Sequence, residues 1–104
     1  MIFLIKEHFE KQLNNLSKRY KLLNDDFENF KSNFNILEWK YLWKWIYKFR
    51  MKNSSIPVWK SGWFRIILLL KIEENLILPF IIYSKTDKEN VTINEIIKEL
   101  EKYI

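Results

Sequence analysis

The sequence predicts an α+β fold: an N-terminal strand, an αα-hairpin, a three-stranded antiparallel meander and a C-terminal helix. Three observations carry this. Residues 9 to 34 repeat apolar side chains at helical spacing. Residues 45 to 83 hold alternating or continuous apolar runs. Thr92-Ile-Asn-Glu95 is a capping box that opens an amphipathic helix. At 104 residues, the chain is read as one domain, 1–104, large enough to bury a core without staples. It is 48% hydrophobic and 17% aromatic, which excludes disorder.

Ile2 to Ile5 is a short apolar run, read as a buried strand. Phe9, Leu13, Leu16 and Tyr20 then form one helical stripe. A second helix is expected to start at Asn24 as its cap. Asp25 and Asp26 stand in the first turn, where the dipole favours anions, and Phe27, Phe30 and Phe34 form the buried stripe. The only histidine, His8, begins the first helix and is read as a surface residue without a partner. Residues 36 to 46, ILEWKYLWKWI, fit both periods. Trp39, Trp43 and Ile46 make a helical stripe, whereas Trp43 and Trp45 alternate as in a strand. These tryptophans suit either a core or base stacking.

The next stretch alternates cleanly. Trp45, Tyr47, Phe49 and Met51 fall on one side, and Lys44, Lys48, Arg50 and Lys52 on the other, with Ile46 an apolar intruder. On a strand this sets four cations in a row above an apolar underside. A polar loop, 53 to 62, carries Lys60. Phe64 to Leu70 is nearly all apolar and is expected in the middle of the sheet. KIEEN, 71 to 75, reads as the turn of an antiparallel hairpin leading into Leu76 to Tyr83. Pro79 lacks a ladder donor, which predicts an edge or a bulge there. In the last helix Ile93, Ile96, Ile97, Leu100 and Ile104 share a face, suited to closing over the sheet or packing on a partner.

Charge singles out the middle of the chain. Between Trp39 and Ile72 stand eight cations (Lys40, Lys44, Lys48, Arg50, Lys52, Lys60, Arg65 and Lys71) and no Asp or Glu. The other ten Lys and Arg are outnumbered by all thirteen acids, so the net +5 belongs to this window. Unneutralised cations repel one another unless an anion visits, and a phosphate backbone is the usual visitor. A solvated strand face is the alternative. With no cysteine there is no disulfide or thiolate chemistry, which suits a reducing cytosol. One histidine leaves a zinc site to carboxylates alone, so neither metal nor cofactor is expected. MIFLI is too short for a signal-peptide core, and no apolar run approaches the roughly 20 residues of a membrane span. The expectation is a soluble, cytoplasmic protein.

Several segments together carry a resemblance: YKFRMKNSS (47 to 55), KSGWFRII (60 to 67), IIYSKTDKENVT (81 to 92) and, less specifically, FEKQLNNLSKRYKLLNDDFENF (9 to 30). In this order and spacing they resemble the RelE/ParE superfamily of toxins from type II toxin–antitoxin pairs, in particular its RelE- and HigB-like branch. The resemblance implies a RelE-like fold and metal-independent, ribosome-dependent cleavage of mRNA, in which a ribose 2′-hydroxyl attacks the adjacent phosphate. It implies a cognate antitoxin, acidic or amphipathic, as neutralising partner, with the ribosome and mRNA as targets and operator DNA met only through the antitoxin complex.

Carried over by position, Lys48 and Arg50 match the basic pair on the family's second strand. Arg65 matches the arginine opening the third, and Lys85 the basic position after the fourth. These four are the expected catalytic residues. Lys44, Lys52, Lys60 and Tyr83 are the expected RNA-binding ones, Tyr83 fitting nucleotide positioning, proton transfer or plain core packing. The chemistry of the side chains agrees. Arg65 has a planar fork for phosphate oxygens and keeps its proton. With no histidine or carboxylate nearby, a lysine crowded by cations is the best general base, and Lys48 is placed for it. The sequence departs from the family's pattern at Trp59 and Trp63, which replace loop glycines, and at Pro79. Trp63 would either obstruct substrate or stack on a base. Two rival readings stay open: a ParE-like gyrase poison, and a catalytically inactive remnant that binds RNA or a partner.

Overall fold

A computed structural model describes residues 2–34 and 40–103. Over these residues the fold is α+β, with three α-helices and one five-stranded mixed sheet of order β1-β5-β4-β3-β2. The strands are β1 (Ile2–Phe3), β2 (Lys40–Trp43), β3 (Ile46–Met51), β4 (Phe64–Lys71) and β5 (Leu76–Ser84). The helices are α1 (Glu7–Ser17), α2 (Leu23–Ser32) and α3 (Ile93–Glu101). β1 runs parallel to β5, and the other neighbours are antiparallel. The expected three-stranded meander is therefore one strand short. β2 falls in the stretch that fits both the helical and the strand period, so the sequence alone did not choose a strand there. The ambiguity over 36 to 39, Trp39 included, lies outside the described residues.

The helical hairpin covers one face of the sheet. Phe9 and Leu13 of α1 and Leu23 and Phe27 of α2 pack on Tyr47, Phe49 and Met51 of β3 and on Phe64, Ile66, Leu68 and Leu70 of β4. The strand alternation seen in the sequence thus holds from Tyr47 to Met51. It fails at Trp45, which is 63% exposed. Lys44 and Trp45 form the two-residue turn between β2 and β3, with φ of 37° and 68°. A tight hairpin needs left-handed turn residues to match strand twist, and here two side-chain-bearing residues fill them without a glycine.

The start of α2 also differs from expectation. Asn24 lies inside the helix, whose N-cap is Leu22, and Leu22 has no capping side chain of its own. The distant Ser55 hydroxyl accepts the Leu22 N–H at 2.9 Å. Asp26, 5% exposed, accepts the Ser54 N–H at 2.8 Å. The loop after β3 and the first turn of α2 therefore tie each other down.

Pro79 sits in a strand with neighbours on both sides, and a bulge accommodates it. Ile67 pairs with Ile81 but Leu68 with Pro79, so Phe80 is the extra residue. β1 ends before this point, and the Gln12 side chain takes its place. Its Nε2 donates to the Phe80 carbonyl at 2.8 Å and its Oε1 accepts the Ile82 N–H at 3.1 Å. The edge is satisfied without another strand.

α3 closes over the opposite face, where Ile96 packs with Ile46, Ile67, Phe80, Ile81 and Tyr83. Its capping box forms as expected: Thr92 Oγ1 accepts the Glu95 N–H at 3.2 Å, and Glu95 Oε1 accepts the Thr92 N–H at 3.3 Å. His8 does have a partner, Glu99 of α3 at 3.2 Å, and meets the Tyr103 ring edge-on. The two lie 91 residues apart, so no local pattern announces the pair. Among the described residues no helix is long and apolar enough to cross a membrane.

Candidate nucleic-acid interface

The face under α3 is only half covered. Ile46 of β3 and Ile67 of β4 lie beneath the helix, while the residues continuing that face, Lys48, Arg50 and Arg65, extend past it. Cross-strand register then concentrates charge. Arg50 stands opposite Arg65, Arg65 opposite Tyr83, and Lys48 opposite Lys40 of the edge strand. Like charges directly opposite destabilise a ladder, so this arrangement costs stability by itself.

Two loops add to it. The 3₁₀ turn Lys60–Gly62 brings in Lys60, and the segment after β5 brings in Lys85. Gly62 packs close to Val58, whose side chain would have to shift by a few tenths of an ångström for a Cβ there, 3.0 Å from Val58 Cβ. Lys40, Lys48, Arg50, Lys60, Arg65 and Lys85 together line a cleft of about 420 Å³. Trp63 forms part of its wall, with the Lys60 ammonium 5.8 Å from its ring centre. Among the described residues, none of the six cations makes an ion pair with a carboxylate.

Arg65 is 5% exposed. Its Nη1 donates to the carbonyls of Trp63 at 3.0 Å, Lys60 at 3.3 Å and Phe64 at 3.5 Å, and its Nη2 to that of Ser61 at 3.4 Å. The guanidinium thus gathers the loop around itself. Burial lowers its pKa, Arg50 lowers it further, and Tyr83 works against both. A simple ion pair pinning the sheet edge does not account for it. Asp87 is held by Arg19 at 2.5 Å and by the Tyr20 hydroxyl at 3.0 Å, and Glu73 stands in the turn at the other end of β4.

Lys48 is half-buried. Burial lowers its pKa, and Lys85, Lys40, Arg65 and Arg50 push it the same way. Its ammonium donates to Asn90 Oδ1 at 3.2 Å. Lys85 donates to the Glu89 carbonyl. The segment carrying Lys85 is anchored at Asp87 by Arg19 and Tyr20, and by the Ser84–Thr86 hydroxyl pair at 2.8 Å. Tyr83 is buried beside Arg65, and its hydroxyl has no hydrogen-bond partner among the described residues. Burial raises its pKa, partly offset by Arg65, so the phenol stays neutral at physiological pH.

Five of the eight expected residues therefore meet at one cleft: Lys48, Arg50, Lys60, Arg65 and Lys85. Tyr83 is adjacent in the sheet but does not line it. Lys44 stands in the turn at the opposite end of β3. Lys52 does not line the cleft but a neighbouring hollow, with Asn29, Asn33 and Ser54, that shares Phe49 and Arg50 with it. Lys40 and Asn90 were not singled out from the sequence. Lys40 belongs to the acid-free window, but its place opposite Lys48 depends on the unpredicted β2. Among the described residues, no group of three His, Asp or Glu side chains could hold a metal ion. The cleft can grip a polyanion and stabilise negative charge that develops at its floor. The chain matches no protein family, no curated protein and no solved structure.

Proposed function

We propose that the protein is the toxin of a type II toxin–antitoxin pair, a cytoplasmic, metal-independent endoribonuclease that cleaves mRNA on the ribosome until a cognate antitoxin neutralises it. The observation that carries this reading is the convergence of six cations on one open cleft, with no carboxylate among the described residues that line it. Its agreement with the positions marked by the RelE- and HigB-like resemblance supports the choice of substrate.

In this reading the Lys48 amine, its pKa already depressed, takes the proton of a ribose 2′-hydroxyl. The 2′-oxygen bonds to the adjacent phosphorus as the bond to the 5′-oxygen breaks, and that oxygen takes a proton from an ammonium of the cleft. A 2′,3′-cyclic phosphate remains. Arg50 and Arg65 stabilise the extra charge of the crowded phosphorane, where fixed cations act more strongly than in water. Trp63 stands where an unpaired base could stack.

The test is to induce the protein without its antitoxin and map the 5′ ends of cellular mRNA. Cuts phased to codons are expected. DNA damage without such cuts would point to a gyrase poison. RNA binding without new ends would point to an inactive remnant.

A further inference from the structure

Beside the cationic cleft lies a second hollow of about 210 Å³, between the start of α3 and strands β2, β3 and β4. The two share Lys40 and Lys48. The hollow's walls are otherwise mostly apolar: Leu42, Ile46, Ile67, Val91, Ile93 and, behind them, Ile96. Ile46 and Ile67 form a closed floor, each 1% exposed. At the mouth Ile93 is 59% exposed, although it opens a helix whose Ile96 and Leu100 pack on the sheet.

Asn90 is the polar group at the rim. Its Oδ1 accepts both the Lys48 ammonium at 3.2 Å and the Val91 N–H at 2.9 Å. Two donors on one atom fix the orientation of the amide. The Nδ2 group has no partner among the described residues, and Asn90 is exposed, so its two N–H donors are open at the rim. An apolar slot, a fixed amide donor and a pair of cations at one edge match the parts of a nucleotide: a flat ring, an acceptor on that ring, and a phosphate.

We infer that this hollow is a nucleobase subsite, which takes the base next to the phosphate held by Lys40 and Lys48. The inference rests on the proposed RNA-binding role of the cleft and adds to it where one base is read. Ring faces meet Ile93 and Val91 on one side and the Ile46–Ile67 floor on the other, and an acceptor on the base edge meets Asn90 Nδ2. The exposure of Ile93 is then the exposure of a binding wall.

The experiment compares adenosine 5′-monophosphate and uridine 5′-monophosphate with ribose 5-phosphate, which lacks the base, by isoleucine-methyl NMR titration of the whole chain. At least one nucleotide should bind about tenfold tighter than the sugar phosphate, the order expected when the apolar faces of a ring leave water for aliphatic walls. It should shift the Ile46, Ile67 and Ile93 methyls by ring current, while Ile66 and Ile82 on the other face stay in place. Filling the hollow with Val91→Phe, or thinning its exposed wall with Ile93→Ser, should bring the affinity ratio towards one. Equal affinities for all three probes, or a ratio that survives both substitutions, would overturn the subsite alone, provided that sugar-phosphate binding still disappears in Lys48→Glu/Arg50→Glu. Sugar-phosphate binding indifferent to that double reversal would overturn the cleft and the subsite together.

Discussion

The two halves of the sheet face beneath α3 are built from the same strands and do opposite things. In one half β3 supplies Ile46 and β4 supplies Ile67, each 1% exposed under the helix. Two or more residues along, β3 supplies Lys48 and Arg50 and β4 supplies Arg65, outside the cluster packed under α3. The first half removes apolar surface from water and holds α3 in place. The second gathers like charges, which weakens the fold. A sheet has one geometry throughout, so the difference lies in the side chains and in where α3 stops. Stability and the capacity to bind an anion are thus assigned to separate ends of one surface, and each end can be perturbed without the other.

The largest effect is expected at Arg65, at the floor of the bare half. Removing one fixed donor from a developing anion typically costs about 10²–10³-fold in rate, and Arg65→Ala should lower cleavage per folded molecule by that much. It should also lower Tm, because four carbonyls between residues 60 and 64 each lose a donor. Arg65→Lys should recover part of the activity, since a point charge lacks the planar fork. A lower Tm with cleavage per folded molecule intact would make Arg65 a loop scaffold only, and the division between the two halves would lose its chemical side.

A smaller effect separates location from net charge. Lys48→Glu/Arg50→Glu changes the cleft, and Lys98→Glu/Lys102→Glu changes the charge of the chain equally at the far helix. The first pair should weaken RNA or ribosome binding by about tenfold or more and flatten its salt dependence. The second pair should change binding little. Equal losses would mean that the protein answers only to its overall charge, and the bare half would not be an interface.

How far this contrast was legible beforehand depends on the range of the interactions involved. Tyr47, Phe49 and Met51 could be assigned to one face and Lys48 and Arg50 to the other, because strand alternation is a local rule. The Thr92–Glu95 box was legible for the same reason, and Pro79 announced an edge or a bulge, between which only the pairing with β4 decides. The cationic window was visible as a run without acids, but not which members would meet. That required the register of three strands and two loops, which brings in Lys40, Lys60 and Lys85 and leaves Lys44 and Lys52 elsewhere. Trp45 was misplaced because nothing in Lys-Trp signals a left-handed turn. The cap on α2 comes from Ser55, and the partner of His8 is Glu99, both far along the chain. Asn90 gave no signal, since its role follows only from where the loop before α3 passes Lys48.

The smallest effect concerns stability and tests the cost of the bare half directly. In Lys48 the folded state holds its proton less firmly than the unfolded chain does, chiefly through burial and then through the neighbouring cations. Below the folded pKa both states are protonated, and the folded state bears the full repulsion. As pH climbs through the folded pKa towards the ordinary lysine range, the folded state sheds its proton first, so stability gains from this residue. Lys48→Met, which keeps the length of the apolar stem, should therefore be more stable than the parent at neutral pH by about 0.5 kcal/mol, the scale of a partly exposed charge interaction. The gap should close on the alkaline side as the parent's lysine becomes neutral. Paired urea titrations at several pH values measure it. A variant that is less stable at neutral pH would mean that the hydrogen bond to Asn90 outweighs the crowding, and a gap that does not change with pH would mean that no charge repulsion is stored at Lys48. In either case the bare half would be no weaker than the covered one, and the electrostatic side of the contrast would have to be given up.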